Sequence, residues 1–175
     1  MTTELILTAR EFAFAHHGEA EWTARMGQHL ASVVRFTKIG GGSTAMLAAA
    51  WLHDVVEDTA ATLAEVEAEF GSEISQLVDG LTDPPHFAAL ELGFRKERQA
   101  ARIATLPTPV HVIKVADQTA NVAEIAVRPP AHWTHEKAMV YAAGAQHIVS
   151  ATRGVPEVLY VEFARAFQAA RVAHE

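Results

Sequence analysis

Helical periodicity is the feature of this sequence that most constrains its fold. Apolar residues recur three and four positions apart along nearly the whole chain, whereas the alternating pattern of β-strands is scarce. Strong stop signals divide the pattern into segments, among them the glycines at 40–42 and the proline pairs at 84–85 and 129–130. A chain of 175 residues is long enough to bury one hydrophobic core. We therefore predict a single all-α domain, residues 1–175, with about eight to ten helices.

One predicted helix carries ionisable groups among apolar ones. The stretch WLHDVVEDT, residues 51–59, places His53, Asp54, Glu57 and Asp58 between side chains that are typical of a core. Burying such groups is costly unless they are paired or bind a metal ion. His53 and Asp54 lie about 100° apart on a helix and can converge on one ion, while Glu57 and Asp58 lie one turn further along. We expect one continuous helix up to about Glu57 that offers two metal ligands and two acid/base groups. The alternative is a charged helix surface.

Further candidate ligands lie on two other predicted helices. In VIKVADQTANV, Asp117 and Asn121 are four residues apart and face the same side of an otherwise apolar helix. In RMGQHLASVV, His29 lies on a helix whose apolar residues face the core. Each residue alone has an ordinary explanation, such as a buried aspartate bonded to the backbone or a core histidine. Two imidazoles and two carboxylates from three helices, however, suit Mn²⁺, Fe²⁺ or Zn²⁺ and leave positions for water and a substrate oxygen.

These motifs resemble those of the HD-domain metal-dependent phosphohydrolases. HDVVEDT, followed by LAEVEAEFG, LVDGLTD and IKVADQTAN, is similar to the hydrolase domain of the bifunctional RelA/SpoT proteins. Given the length of the chain, it is also similar to the stand-alone small alarmone hydrolases of the Mesh1 type. The resemblance runs from about Ala9 to Gly154. It implies an HD-domain helical bundle that removes the 3′-pyrophosphate from a purine nucleotide alarmone such as ppGpp.

The resemblance also implies roles for individual residues of the predicted centre. It implies a Mn²⁺ ion with four protein ligands, which are His29, His53, Asp54 and Asp117. Glu57 and Asp58 would orient the attacking water and carry a proton to the leaving 3′-oxygen. Asn121 would contact the ribose or a phosphate. The ion would polarise a phosphoryl oxygen and lower the pKa of its bound water, which supplies a nucleophile at neutral pH.

A later segment resembles the family's helix with a basic residue and a tyrosine one turn apart. Lys137 and Tyr141 fall at these positions in HEKAMVYAAGAQHIVSATRG, and they would hold the 5′-phosphates. The alternative is a solvated lysine and a packed tyrosine. Lys96 and Arg98, in FRKERQ, are candidates to line the same cleft, although a run of charges is more often a solvated face.

The sequence departs from the family where the base is read. Relatives carry an arginine that stacks on guanine, whereas the segment HHGEAEWTARMGQH is about one residue shorter and has Glu21 or Trp22 there. Trp22 can stack on a purine instead, and Arg25 can reach the site from a displaced position. Trp22 as core filling is the other interpretation. Glu124 stands where the family has a threonine. An adenine alarmone such as ppApp is therefore a candidate substrate beside ppGpp.

Composition and the intact acid/base pair restrict the function classes. A net charge of −7 argues against general binding of nucleic acid, and no apolar run is long enough to span a membrane. The absence of cysteine excludes disulfides, and a cytoplasmic location is the default expectation. Two alternatives stay open, which are a phosphatase of another 2′- or 3′-phosphorylated nucleotide such as NADPH and a catalytically silent nucleotide-binding module. Retention of Glu57 and Asp58 favours an enzyme. The sequence does not define an oligomeric state.

Overall fold

The computed structural model describes residues 2–174, and within them all regular structure is helical. A π-helical turn at Trp22–Met26 joins the first two helices, and a 3-10 turn at Pro85–Ala89 precedes the seventh. The ten α-helices are α1 (Thr2–Glu21), α2 (Gly27–Ile39), α3 (Thr44–Leu52), α4 (Val55–Asp58), α5 (Leu63–Phe70), α6 (Ser72–Leu81), α7 (Leu92–Ile103), α8 (Thr108–Val127), α9 (His135–Ser150) and α10 (Glu157–His174). The predicted all-α class and the predicted number of helices are confirmed.

Side-chain caps and a glycine with positive φ fix several helix boundaries. Ser43 accepts a hydrogen bond from the backbone of Met46 at 3.3 Å and starts α3. Thr62 and Glu65 form a capping box at the start of α5, which satisfies two otherwise unpaired backbone N–H groups. Gly71, with a φ of 84°, ends that helix in a conformation that favours glycine.

Two predicted helices are interrupted in the structure. The helix expected to continue to Glu57 ends at Leu52, and α4 begins at Val55. Asp54 lies between them with φ −98° and ψ −5°, a sparsely populated region of backbone conformation in which many active-site residues are found. The apolar periodicity of residues 87–105 also predicts one helix, but α7 starts only at Leu92, because Leu90 and the residue after it adopt extended backbone.

Helix α8 lies at the centre of the fold. It packs mainly against α10 and α2, and it also touches α3, α6 and α9. Its residues from Val110 to Ala120 are buried without interruption, so this part of the helix is surrounded by the rest of the bundle. Asp117 is therefore held inside the bundle, only 4% exposed. No helix in residues 2–174 has both the length and the apolar character needed to cross a membrane.

A candidate metal centre in a helical cavity

Four side chains from α2, α8 and the break between α3 and α4 converge on one point. Nε2 of His53 lies 3.1 Å from Oδ1 of Asp54 and 3.4 Å from Nε2 of His29. Nε2 of His29 lies 3.6 Å from Oδ2 of Asp54, and it lies at the same 3.6 Å from Oδ1 of Asp117. Metal–ligand bonds of roughly 2.0–2.2 Å put neighbouring donor atoms roughly 3–3.6 Å apart. The donor atoms of His29, His53 and Asp54 therefore lie close enough together to bind a single first-row transition-metal ion. Oδ1 of Asp117 borders this group on the side of the two histidines.

The break in the helix and one backbone contact orient His53. Its Nδ1 lies 3.0 Å from the carbonyl oxygen of Ala50, which can only accept a hydrogen bond. Nδ1 therefore carries a proton, and Nε2 points toward His29 and Asp54. Metal-binding histidines are commonly fixed in this way by a hydrogen bond from the other ring nitrogen.

The carboxylates of the cluster favour a positive charge between them. Burial alone would lower the pKa of His53, but Asp54 and Asp117 outweigh this effect and raise that pKa well above its usual value. Burial alone would raise the pKa of Asp117, but Lys114 and the two histidines hold it well below its usual range. The site therefore stabilises a cation at this point, whether a proton on His53 or a divalent metal ion.

Asp117 is held by three polar neighbours on its own helix. Nδ2 of Asn121 donates to its Oδ1 at 2.6 Å, and Nε2 of Gln118 donates to its Oδ2 at 2.8 Å. Nζ of Lys114 lies 3.3 Å from the same Oδ2. These contacts fix the orientation of the carboxylate, and the bond from Asn121 leaves the amide oxygen of Asn121 available to a ligand.

The cluster opens into a cavity of about 430 Å³, which is large enough for a nucleotide-sized ligand. Its charged lining consists of six acidic side chains and three basic ones. The acidic residues are Glu21, Asp54, Glu57, Asp83, Asp117 and Glu124, and the basic residues are Arg25, Lys96 and Lys114. An anionic ligand therefore requires a bound cation to offset the excess of carboxylates.

Glu57 lies in the cavity wall, and Asp58 lies just outside it. Oε1 of Glu57 accepts a hydrogen bond from the backbone N–H of Asp83 at 2.5 Å. Partial removal from water raises the pKa of Glu57 to about 7 and that of Asp58 to about 6, although both side chains still reach solvent. Asp58 lines a neighbouring cavity of about 780 Å³, whose wall also contains Glu57. Both carboxyl groups can therefore exchange protons near neutral pH.

Two buried lysines flank the cluster. Lys96 donates from Nζ to Oε1 of Gln118 at 3.1 Å, and its Nζ lies 3.9 Å from the centre of the Tyr141 ring. Lys114 lies beside Asp117, and this carboxylate raises the pKa of Lys114 even though burial opposes it. Burial raises the pKa of Tyr141, so its hydroxyl stays protonated. The cavity thus presents the amino groups of two lysines close to the candidate metal centre.

The structure brings Arg25 and Tyr141 to the cavity, but it places two other predicted substrate contacts elsewhere. Trp22 stacks on Trp51, with ring centroids 5.9 Å apart, and packs against the hydrophobic core instead of the cavity. Lys137 is exposed, with Nζ 5.2 Å from the Trp133 ring, and it does not line the cavity. This geometry does not support base stacking by Trp22 or phosphate binding by Lys137.

The cavity also contains residues that the sequence did not single out. Lys114 lies in the IKVADQTAN motif, and its charge on an apolar helix three residues before Asp117 was an available signal. Trp133 follows Pro130 in an irregular segment, where periodicity carries no information. Of the two candidates in FRKERQ, Lys96 lines the cavity, whereas Arg98 is exposed and lies outside it.

A helical bundle that holds a histidine, a His-Asp pair and a later aspartate around one point has the architecture of the HD-domain class. The model of the family described as "HD domain" matches residues 9–148. The chain therefore belongs to the HD-domain family. Membership implies that it binds a divalent metal ion, and His29, His53 and Asp54 form a compact group of donors for it.

Individual relatives cover nearly the whole chain. The chain is 31% identical over 162 residues to the Xenopus tropicalis protein named guanosine-3′,5′-bis(diphosphate) 3′-pyrophosphohydrolase MESH1, covering 89% of this chain and 88% of that protein. The human protein of the same name is 30% identical over 155 residues, covering 85% of each chain. A solved structure described as a metazoan ortholog of SpoT that hydrolyzes ppGpp superposes with a TM-score of 0.80 at 27% identity, covering 94% of each chain.

Proposed function

We propose that this protein is a metal-dependent hydrolase that removes the 3′-pyrophosphate from purine nucleotide alarmones, ppGpp or ppApp. One observation carries the proposal, which is that three members of the donor cluster line one cavity together with Glu57 and two buried lysines. These three members are His29, Asp54 and Asp117. The named activity of the MESH1 relatives and the reported hydrolysis of ppGpp by the superposable protein support the same reaction.

Mn²⁺ is the proposed ion, and its ligands are His29, His53, Asp54 and Asp117. Two imidazoles and two carboxylates form a mixed nitrogen and oxygen donor set, which suits a divalent transition metal with positions left for water. The two carboxylates also balance the charge of the ion. When bound, such an ion polarises a phosphoryl oxygen and lowers the pKa of a water molecule.

Glu57 and Asp58 are the proposed acid/base pair. The oxygen of water bonds to the phosphorus attached to the 3′-oxygen, the bond between that phosphorus and the 3′-oxygen breaks, and pyrophosphate departs. Glu57, with a pKa of about 7, can take a proton from the water, and a protonated carboxyl can return one to the 3′-oxygen. The backbone N–H of Asp83 holds the Glu57 carboxyl at the cavity. Asp58 would exchange protons with solvent through the neighbouring cavity.

The remaining polar side chains of the cavity would hold the substrate. The ammonium groups of Lys96 and Lys114 offset the negative charge of the pyrophosphate. Asn121, tied to Asp117 through its Nδ2, can accept a hydrogen bond from a ribose hydroxyl with its amide oxygen. Tyr141, whose hydroxyl stays protonated, can donate to a phosphate oxygen.

A product assay tests this proposal. The purified protein is stripped of metal, reloaded with Mn²⁺, Zn²⁺ or Mg²⁺, and incubated in parallel with ppGpp, ppApp and NADPH. We expect Mn²⁺-dependent release of pyrophosphate and of the nucleoside 5′-diphosphate from at least one alarmone. Release of orthophosphate from NADPH without turnover of either alarmone would instead establish the alternative phosphatase. Tight binding of all three nucleotides without any product would indicate a silent binding module.

A further inference from the structure

One face of α8 runs along the cavity from the candidate metal centre. Asp117, Asn121 and Glu124 lie at positions i, i+4 and i+7, so their side chains point to the same side of the helix, and all three line the cavity. Seven residues of α-helix advance by roughly 10 Å. A nucleotide whose 3′-phosphate lies at the metal centre can therefore extend its base toward Glu124.

Glu124 is held by two arginines. Its Oε1 accepts a hydrogen bond from Nε of Arg25 at 2.5 Å and lies 3.5 Å from Nη2 of Arg128. Nη2 of Arg25 donates to the backbone carbonyl of Arg128 at 3.1 Å, which fixes the guanidinium. Among residues 2–174, Oε2 of Glu124 has no hydrogen-bond partner. Oε2 of Glu124 is thus available as a hydrogen-bond acceptor. The two arginines neutralise the charge of the carboxylate, which would otherwise repel a nucleotide.

The same cavity has an aromatic and apolar lining. Trp133 lines the cavity, and its ring lies 5.3 Å from that of Tyr141 at an angle of 46°. Met26, Ile125 and Pro130 complete the apolar lining. A flat aromatic surface and a hydrogen-bond acceptor in one cavity match a purine base, which has a π-face and N–H groups at its edge.

We propose that Glu124, positioned by Arg25, accepts a hydrogen bond from an N–H group of the purine base, and that Trp133 provides the surface on which the base stacks. This inference rests on the proposed function and adds the residues that read the base. Guanine offers N1–H and N2–H groups and adenine offers N6–H, so Glu124 can bind either base. Unsubstituted purine has no such donor on its six-membered ring and serves as the matched probe.

The test compares three substrates that differ only at the base. These are ppGpp, ppApp and the 3′,5′-bis(diphosphate) of purine riboside, each hydrolysed by the wild-type enzyme loaded with Mn²⁺. A hydrogen bond to a charged group makes the wild-type kcat/KM roughly tenfold or more lower for the purine riboside analogue. The quantity compared is the ratio of kcat/KM for ppGpp or ppApp to kcat/KM for the purine riboside analogue. In Glu124→Ala this ratio should fall to near one, because the variant has no carboxylate to accept the N–H of the base. Any general effect of the altered charge cancels in the ratio.

Matched variants separate base reading from a structural role. Glu162→Ala removes another arginine-paired carboxylate, 2.6 Å from Nη1 of Arg165 on α10 and outside the cavity, and should leave the ratio at its wild-type value. Trp133→Ala should lower kcat/KM by roughly 5- to 150-fold for all three substrates alike. A wild-type ratio near one overturns the proposal without any variant having to fold. If the wild type hydrolyses none of the three, the proposed function fails as well.

Discussion

Lys96 of α7 lies over the ring of Tyr141 of α9, with its Nζ 3.9 Å from the ring centre. The side chain is buried, and burial, followed by the charge of Lys114, lowers the pKa of Lys96 to about 7. A buried lysine near a second one reduces stability, so its presence in the cavity wall indicates a functional requirement. The proposed requirement is a cation for the pyrophosphate, and it has consequences for both stability and activity.

The stability of the protein should depend on pH through Lys96. The folded-state pKa is about 7, below the usual value of 10.5, so between these values the unfolded chain binds more protons and the free energy of unfolding rises with pH. Lys96→Met should therefore raise the melting temperature near pH 7 by a few degrees, and the difference should shrink toward about pH 9. Circular dichroism melts across this range measure it. Arg98→Met, at an exposed cation of the same helix, should follow the wild-type profile. If the melting temperatures of Lys96→Met and wild type differed by the same amount at every pH, the lowered pKa of Lys96 would be contradicted.

Gly144 makes room for the stem of Lys96. A Cβ atom at this position would lie 2.6 Å from Cγ and 2.7 Å from Cβ of Lys96. Gly144→Ala should therefore displace the lysine, reduce the free energy of unfolding by about 1–3 kcal/mol and lower kcat/KM. Gly93→Ala is the control, because nothing lies within 4 Å of its added Cβ and alanine favours a helix. Denaturant unfolding and steady-state kinetics compare the two, and equal effects would show that the contact with Lys96 does not matter.

Metal binding should depend on each member of the donor cluster. His53→Ala or Asp117→Ala removes one of the four proposed ligands and leaves the charge of the others unbalanced, so bound metal and activity should be lost together. Metal content per protein, measured by mass spectrometry after dialysis, checks this prediction. His147→Ala, at an exposed histidine of α9, should retain both properties. Full Mn²⁺ occupancy in Asp117→Ala would remove this residue from the ligand set.

Chemistry should be separable from metal binding at the acid/base pair. Glu57→Gln and Asp58→Asn keep the size of the side chain, and the amide oxygen introduced by Glu57→Gln can still accept the N–H of Asp83. Metal should be retained while kcat falls on the order of 10²–10⁴-fold. Glu69→Gln, at an exposed carboxyl of α5, is the matched control and should stay fully active. Unchanged turnover in both Glu57→Gln and Asp58→Asn would exclude proton transfer by these residues.

Trp22 should contribute to stability and not to substrate binding. Its ring packs on Trp51 at 5.9 Å and meets Phe14 edge-on at 5.3 Å. Trp22→Ala should therefore reduce the free energy of unfolding by roughly 2 kcal/mol or more, because it leaves a cavity beside the core. The KM for the nucleotide should be unchanged at a temperature where the variant is folded. A raised KM with unaltered stability would return Trp22 to the substrate site.

The sequence alone determined the helical class and the residues that the structure brings together at the donor cluster. His29, His53, Asp54 and Asp117 each stand out as ionisable side chains on apolar helical patterns, a signal that requires no knowledge of the fold. The sequence did not determine the helix break at Asp54, whose backbone conformation depends on its neighbours in space.

Only the tertiary structure decided which side chains form the rest of the cavity. Arg25 and Glu124 are 99 residues apart and meet only because α2, which follows the π-helical turn that carries Arg25, packs against α8. Residues 22 and 133 are both tryptophans, yet Trp22 packs against the core and Trp133 lines the cavity. Periodicity defines the face of a helix on which a side chain lies. The partner of that face depends on helix packing and loop geometry, which no local pattern encodes.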